Sequence, residues 1–213
     1  TESWAEQVGG WGGRGIVVHE APPAVAVPPG TGAEGGAGGR PQVLFAGTFG
    51  GDEPVEAVVA AARLVPEVDV AITGDVRRAP PGLVDGAPPN VRFVGFLDRP
   101  EFAGAMGRAD AVLALTTEPT SVMRVACEAV YLERPLIVSD TELNRELFPS
   151  AIVVDVAPGA IAAGLRSMVR GLAPLRIAAP RAREVQARRW AEQREALVPL
   201  LRGSVGAGGR ARP

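Results

Sequence analysis

One carboxylate stands where the chain should tolerate it least. In Thr116–Asp140, TTEPTSVMRVACEAVYLERPLIVSD, a polar turn leads into an almost wholly apolar helical stretch that carries Glu128. A short apolar strand and Asp140 close the stretch. An ionisable group in a helix that reads as buried is costly unless it has a partner. Two partners fit. Arg124 lies one helical turn earlier, and a carboxylate is also a good bidentate acceptor for vicinal hydroxyls such as those of a ribose. The turn ahead of the helix supplies hydroxyls at Thr116, Thr117, Thr120 and Ser121. A helix N-terminus there would offer unpaired backbone N–H groups and the positive end of the dipole, which suit a phosphate. Thr120 or Ser121 would equally serve as an ordinary N-cap. Thr120 precedes Glu128 by eight residues, a little over two helical turns, which predicts both on one side of the helix.

Bulk properties exclude several other chemistries. The formal charge of −2 lacks the basic surface that non-specific nucleic-acid binding needs, so no nucleic-acid partner is expected. With 46% apolar but only 5% aromatic residues, a substantial core must be built mainly from Val, Ala and Leu. The single cysteine, Cys127, permits no intrachain disulfide and reads as a small buried hydrophobe, compatible with a reducing, cytoplasmic compartment. One Cys and one His, His19, cannot make the usual zinc clusters, and no metal site is expected. His19 falls in a predicted strand and reads as structural rather than as a base. The sequence contains no lysine, so its 22 basic residues are all arginine and lysine Schiff-base chemistry is excluded. No apolar run is long enough to span a bilayer, and no signal peptide opens the chain. The opening Thr1, in place of Met, suggests a processed product or a piece of something longer.

The elements that must position Glu128 follow from the apolar pattern. Residues 1–20 read as one short helix, with Trp4, Ala5, Val8 and Trp11 at helical spacing, and one strand, Arg14–His19. A helix and strand with no strand before them look like the remnant of an N-terminal domain. Residues 21–40, APPAVAVPPGTGAEGGAGGR, read as a Pro/Gly linker. From residue 41 to about 175, strand and helix alternate. Strands are predicted at Gln42–Ala46, Asp69–Thr73, Val91–Val94, Ala111–Leu115, Pro135–Val138 and Ile152–Val154. Helices are predicted from an Asp52 cap to about Leu64, from about Pro100 to Arg108, after Ser121, at Glu142–Leu147 and at Ala160–Arg170. Uninterrupted apolar strands belong to parallel sheets covered on both faces. The pattern therefore predicts an α/β, doubly wound, mostly parallel Rossmann-like sheet of about six strands. Such folds bind ligands beyond the carboxyl ends of their strands, here the loops Gly47–Asp52, Gly74–Arg78, Gly95–Leu97, Thr116–Ser121 and Ser139–Leu143. A C-terminal helix is expected within 176–202, charged and holding Trp190, followed by a disordered tail at 203–213. The loop after the first strand, GTFGGDE, lacks the glycine register of a dinucleotide fingerprint, which disfavours a dehydrogenase.

The ordered set VLFAGTF, VDVAITGD, NVRFVGFL, ADAVLALTT, CEAVYLERPLIVSDT and AIVVDV resembles the C-terminal, donor-binding domain of bacterial family-4 GT-B glycosyltransferases. WAEQVGGWGGRGIVVHEAPP is similar to the last helix and strand of that family's N-terminal domain. The resemblance implies one half of a GT-B fold. It also implies a nucleotide diphosphate sugar as donor substrate, with no separate cofactor. Transfer would retain anomeric configuration and need no metal. Glu128 falls where the family contacts the donor ribose, and Gly47 where the loop after the first strand approaches the diphosphate. Val94, Gly95 and Phe96 fall around the base, and Ser121 and Val122 at the diphosphate-facing helix start. Three positions depart from the family pattern. Thr120 stands where the first Glu of a Glu-x7-Glu pair belongs, and Thr48 and Glu53 stand where phosphate-neutralising Arg and Lys belong. Arg77, Arg78 and Arg124 are the remaining basic candidates. The acceptor domain and its catalytic groups are expected to lie outside this sequence, so this chain alone should be inactive. Peripheral membrane association is a further expectation for the full enzyme. A non-catalytic α/β binding or interaction module is the alternative, favoured by Thr48 and Glu53.

Overall fold

The computed structural model describes residues 9–11, 20–22 and 39–207, with side chains described up to residue 199. The helix at residues 2–8, the strand Arg14–His19 with His19 itself, and most of the linker lie outside the described residues. The chain divides into two compact units, one of Thr1–Pro22 with Glu184–Pro213 and one of Pro23–Arg183. The candidate site belongs to the second.

Six strands form one parallel sheet: β1 (Gln42–Phe45), β2 (Asp69–Thr73), β3 (Val91–Gly95), β4 (Ala111–Ala114), β5 (Leu136–Ser139) and β6 (Ile152–Val154). Their order is β3-β2-β1-β4-β5-β6, and every neighbouring pair runs parallel. The alternation of side chains explains the unbroken apolar strands. Val43 and Phe45, Val70 and Ile72, Ala111 and Leu113, and Ile137 enter one core cluster. Leu44, Ala71, Val112, Ala114, Leu136 and Val138 enter the other. A strand with both faces buried has no polar face to show in its sequence.

Helix α1 (Val55–Leu64) and the start of α5 (Pro158–Ala207) cover the first face. Helices α2 (Arg99–Arg108), α3 (Arg124–Tyr131) and α4 (Glu142–Leu147) cover the second. Helix α2 opens with a capping box. The Asp98 side chain accepts from the Glu101 N–H, and the Glu101 side chain accepts from the Asp98 N–H. Thr141 caps α4 by accepting from the Asn144 N–H at 3.0 Å.

Two helix expectations need correction. Asp52 does not cap α1, which begins after Pro54 with no side-chain cap. The Asp52 carboxylate is engaged across the sheet instead. The two late helices, predicted at 160–170 and within 176–202, are parts of one continuous α5 that reaches Ala207. Pro174 and Pro180, each costly inside a helix, are carried by the packing around them. Leu172 and Leu175 pack on the first cluster, Ala182 packs on the second, and Arg176 pairs with buried Asp110.

Candidate functional site

The strand order reverses between β1 and β4, and folds of this kind take ligands at the carboxyl edge of such a switch point. The edge is built from glycines. The Gly47 N–H donates to Thr73 Oγ1 at 3.1 Å, and that hydroxyl donates back to the Gly47 carbonyl at 3.1 Å. The Gly74 N–H donates to the Gly95 carbonyl at 2.9 Å. Gly47 and Gly74 thus follow the ends of β1 and β2, beside Gly95, the last residue of β3. Gly95 has φ +80°, where the β2–β3 register shifts beside Thr73. Phe96 follows and is 78% exposed. Phe49 has φ +59°, and its ring stacks on Phe93 with centroids 6.3 Å apart.

Across the switch point, Asp52 ties the two loops together. Its carboxylate accepts from Thr116 Oγ1 at 3.1 Å. Its backbone carbonyl accepts from the Thr117 N–H at 2.8 Å and from Thr117 Oγ1 at 3.2 Å. The Thr116 main chain is pinned from the other side by buried Ser139. The Ser139 hydroxyl accepts from the Thr116 N–H at 2.7 Å and donates to the Thr116 carbonyl at 2.8 Å.

Inside the β1–α1 loop, Glu53 turns back on the backbone. One carboxylate oxygen accepts from the Thr48 N–H at 2.7 Å and the Gly50 N–H at 3.1 Å, and the other accepts from Thr48 Oγ1 at 2.9 Å.

The Thr116–Ser121 loop differs from expectation. Helix α3 begins at Arg124 with Met123 as N-cap and no side-chain cap, so neither Thr120 nor Ser121 caps it. The loop closes on itself instead. Thr120 Oγ1 donates to Glu118 at 3.0 Å, the Glu118 N–H donates to Thr116 Oγ1 at 3.1 Å, and the Ser121 N–H donates to the Glu118 carbonyl at 3.2 Å. Thr120 therefore lies outside the helix, and the helical spacing that was to align it with Glu128 does not apply. Ser121 and Val122 are half-buried residues of the same loop.

Glu128 is on α3, whose other side chains from Val125 to Tyr131 are buried. Its own side chain is 19% exposed, and it accepts from Arg124 Nε at 3.0 Å. The carboxylate is therefore partnered yet reachable. Arg77 is held by Asp75 through Nε at 2.9 Å and Nη2 at 2.6 Å. The hydrogen bonds from Arg77 hold the Asp75 carboxyl down at about 2. Arg78 is exposed beside that pair. Of the three basic candidates, two already hold carboxylates of this chain.

The structure brings Gly47, Thr48 and Gly95 to one sheet edge, with Phe96 directly after it. It places Thr120, Ser121, Val122 and Glu128 on the loop and helix that follow β4. The bridging role of Asp52, the Ser139 clamp and the capture of the loop amides by Glu53 do not show in the sequence. Each joins groups whose proximity only the tertiary fold creates, apart from the short Thr48–Glu53 spacing. A groove of about 390 Å³ between α2 and the second sheet face is lined by Leu44, Ala71, Val94 and Arg108 among others; of the candidate residues it includes Val94 but not Gly47, Thr48, Gly95, Phe96, Thr120, Ser121, Val122 or Glu128. Among the described residues, no group of three or more His, Cys, Asp or Glu side chains is placed to hold a metal ion. Nor is any described helix long and apolar enough to cross a membrane.

No family model and no curated protein matches the sequence. Solved structures do match the fold. Sucrose-phosphate synthase from Thermosynechococcus elongatus superposes with a TM-score of 0.68 at 23% identity, covering 79% of this chain and 46% of that one. HepE of Anabaena, in complex with UDP and glucose, gives 0.66 at 17% identity, covering 77% and 48%. Trehalose-6-phosphate synthase from Burkholderia multivorans gives 0.64 at 16% identity, covering 83% and 45%. The architecture is a Rossmann-like half of a GT-B glycosyltransferase fold. The chain spans about half the length of the solved proteins it matches.

Proposed function

We propose that the α/β unit is the nucleotide-sugar-binding half of a glycosyltransferase. In this reading it holds the donor while the sugar passes to an acceptor carried by another domain. The observation that carries the reading is the switch point between β1 and β4, in a fold that it shares with a protein solved with UDP and glucose. Gly47 and Thr48 are assigned to the diphosphate side. Gly95 and exposed Phe96 are assigned to the base, which a free aromatic face suits. Glu128 is assigned to the ribose hydroxyls, with Arg124 holding its carboxylate in place. Thr120, Ser121 and Val122 border the sugar-phosphate. The whole enzyme would act by orienting the sugar while the phosphate departs, with retained configuration and no metal. This half alone would bind the donor and turn nothing over.

A second reading, a non-catalytic interaction module, is favoured by one observation: the β1–α1 loop carries Thr48 and Glu53, and its amides already hold the Glu53 carboxylate. One experiment separates the two. UDP-, GDP- and ADP-sugars are tested for a shift in melting temperature with the wild type and Glu128→Gln. Donor binding predicts stabilisation by one nucleotide class, about 2.7 kcal/mol at a hundredfold excess over Kd. Glu128→Gln should weaken that binding about tenfold, near 1.4 kcal/mol. A lower melting temperature with unchanged affinity would reduce Glu128 to a structural partner of Arg124. No shift with any nucleotide sugar would establish the module.

A further inference from the structure

The β1–α1 loop is folded around a negative charge of its own. The Thr48 N–H, the Gly50 N–H and the Thr48 hydroxyl converge on the Glu53 carboxylate. The intervening residue, Phe49, is left-handed at φ +59°. A left-handed residue between two amides turns both toward one point, the backbone concavity that receives anions. The Glu53 N–H donates to the Gly50 carbonyl at 3.1 Å and closes the turn. A Cβ on Gly50 would stand 3.1 Å from Asp52 Oδ1 and 3.7 Å from the Glu53 carboxyl carbon, so the loop is already filled by these two acidic side chains. Phe49 is held in place by its ring, which stacks on Phe93 and leaves no room for a Cβ at Gly74. The concavity lies directly beyond the end of β1, at the switch point.

We infer that Glu53 is a built-in competitor for phosphate: its carboxylate occupies the amides of the β1–α1 loop, and the wild-type site discriminates against a phosphoryl group presented there. The inference rests on the donor-site reading and refines it. A phosphoryl oxygen can use these amides only when Glu53 lets go of all three donors, and the displaced carboxylate then stays beside it as a like charge, which is unfavourable. Charge-assisted bonds of this kind are roughly twice as strong as neutral ones, so the competition is substantial. The site would therefore take most of its affinity from the nucleoside and sugar rather than from the phosphate at this loop. Glu53 is a specificity-determining residue on this account, and it is not a catalytic one.

The test uses the full chain and inorganic pyrophosphate, with the Thr48 and Gly50 amide resonances as the readout. Pyrophosphate should move both resonances saturably in Glu53→Ala, with an affinity at least about tenfold above that of the wild type. Glu53→Gln keeps a neutral acceptor for the amides while losing the charge, and it should fall between the two. That variant also decides the matter where Glu53→Ala fails to fold. The inference is overturned when the wild type binds pyrophosphate as tightly as both variants, or when neither variant moves these two resonances. The nucleotide-sugar panel described above tests the donor reading separately. Pyrophosphate binding to Glu53→Ala with no response to any nucleotide sugar would keep the loop assignment and sink the donor site.

Discussion

At Gly74 two demands meet in one residue. Its φ is +118°, a conformation that side-chain-bearing residues rarely adopt, and an added Cβ would stand 2.7 Å from the Gly47 carbonyl oxygen and 2.9 Å from the Phe49 ring. Backbone strain of this kind alone costs roughly 1–3 kcal/mol, and the contact with a backbone oxygen cannot be relieved by a rotamer change. Gly74→Ala is therefore expected to lower urea-unfolding stability by more than that range and to displace Phe49 from Phe93. A stability loss below about 1 kcal/mol would mean that the loop yields freely. The sequence marks Gly74 as the end of a strand and the start of a candidate ligand loop. It holds no sign of the approach of Gly47 or Phe49, because residues 47, 49 and 74 meet only once β1 and β2 are paired. Glu128 was more legible. An acid in an apolar helical stretch announces a partner, and Arg124 one turn earlier is that partner in this structure. Thr120 was misplaced because the helix starts at Arg124. The Thr116 and Glu118 side chains close the preceding turn with bonds that the run of hydroxyls does not distinguish from a cap.

Among the elements, the strands were readable almost to the residue, since burial of both faces leaves an apolar run with polar punctuation at each end. Helix ends were harder. The sequence offers Asp52 as a cap for α1, but the fold gives it a better-placed donor in Thr116, across the switch point. The far end of α1 is secured from outside the helix by buried Asn90. Its side-chain amide donates to the carbonyls of Ala62 at 2.9 Å, Val65 at 3.2 Å and Val68 at 2.8 Å. One side chain thus satisfies the helix terminus and the turn that leads into β2. Asn90→Ala removes the side-chain donor, although the Ala62 and Val65 carbonyls keep the Val65 and Val68 N–H groups. A lost buried hydrogen-bond partner costs about 1–3 kcal/mol, which is the loss expected in chemical denaturation. Amide exchange should be faster at Val65 and Val68, whose N–H groups donate to Ala62 and Val65. Asn90→Asp keeps the shape but offers carboxylate oxygens to carbonyl oxygens, so it should be at least as damaging. If Asn90→Ala unfolds at the wild-type denaturant midpoint, the tether contributes nothing.

For the molecule as a whole, every residue of the two core clusters lies between Val43 and Ala182. The long-range ion pairs that fasten α5 to the sheet unit reach only one residue further, to Arg183: Arg166 with Glu67, Arg176 with Asp110 and Arg183 with Glu133. At the other end, Arg40 pairs with Asp69 at 2.8 Å and donates to the Pro66 carbonyl at 3.2 Å, holding the entry to β1. All of these interactions survive in a chain cut to residues 39–183, which is also of ordinary domain size. Such a fragment should fold alone, with a single cooperative thermal transition, since both faces of its sheet keep their helical cover. It should also keep whatever nucleotide-sugar affinity the full chain has, because the strand-end glycines, Glu53, the Thr116–Ser121 loop and Glu128 are all retained. Circular dichroism melting and the same nucleotide-sugar panel check both statements. A broad, non-cooperative melt with dye-accessible apolar surface would show that the core is not self-sufficient. A cooperative melt with lost affinity would instead show that residues beyond 39–183 complete the site.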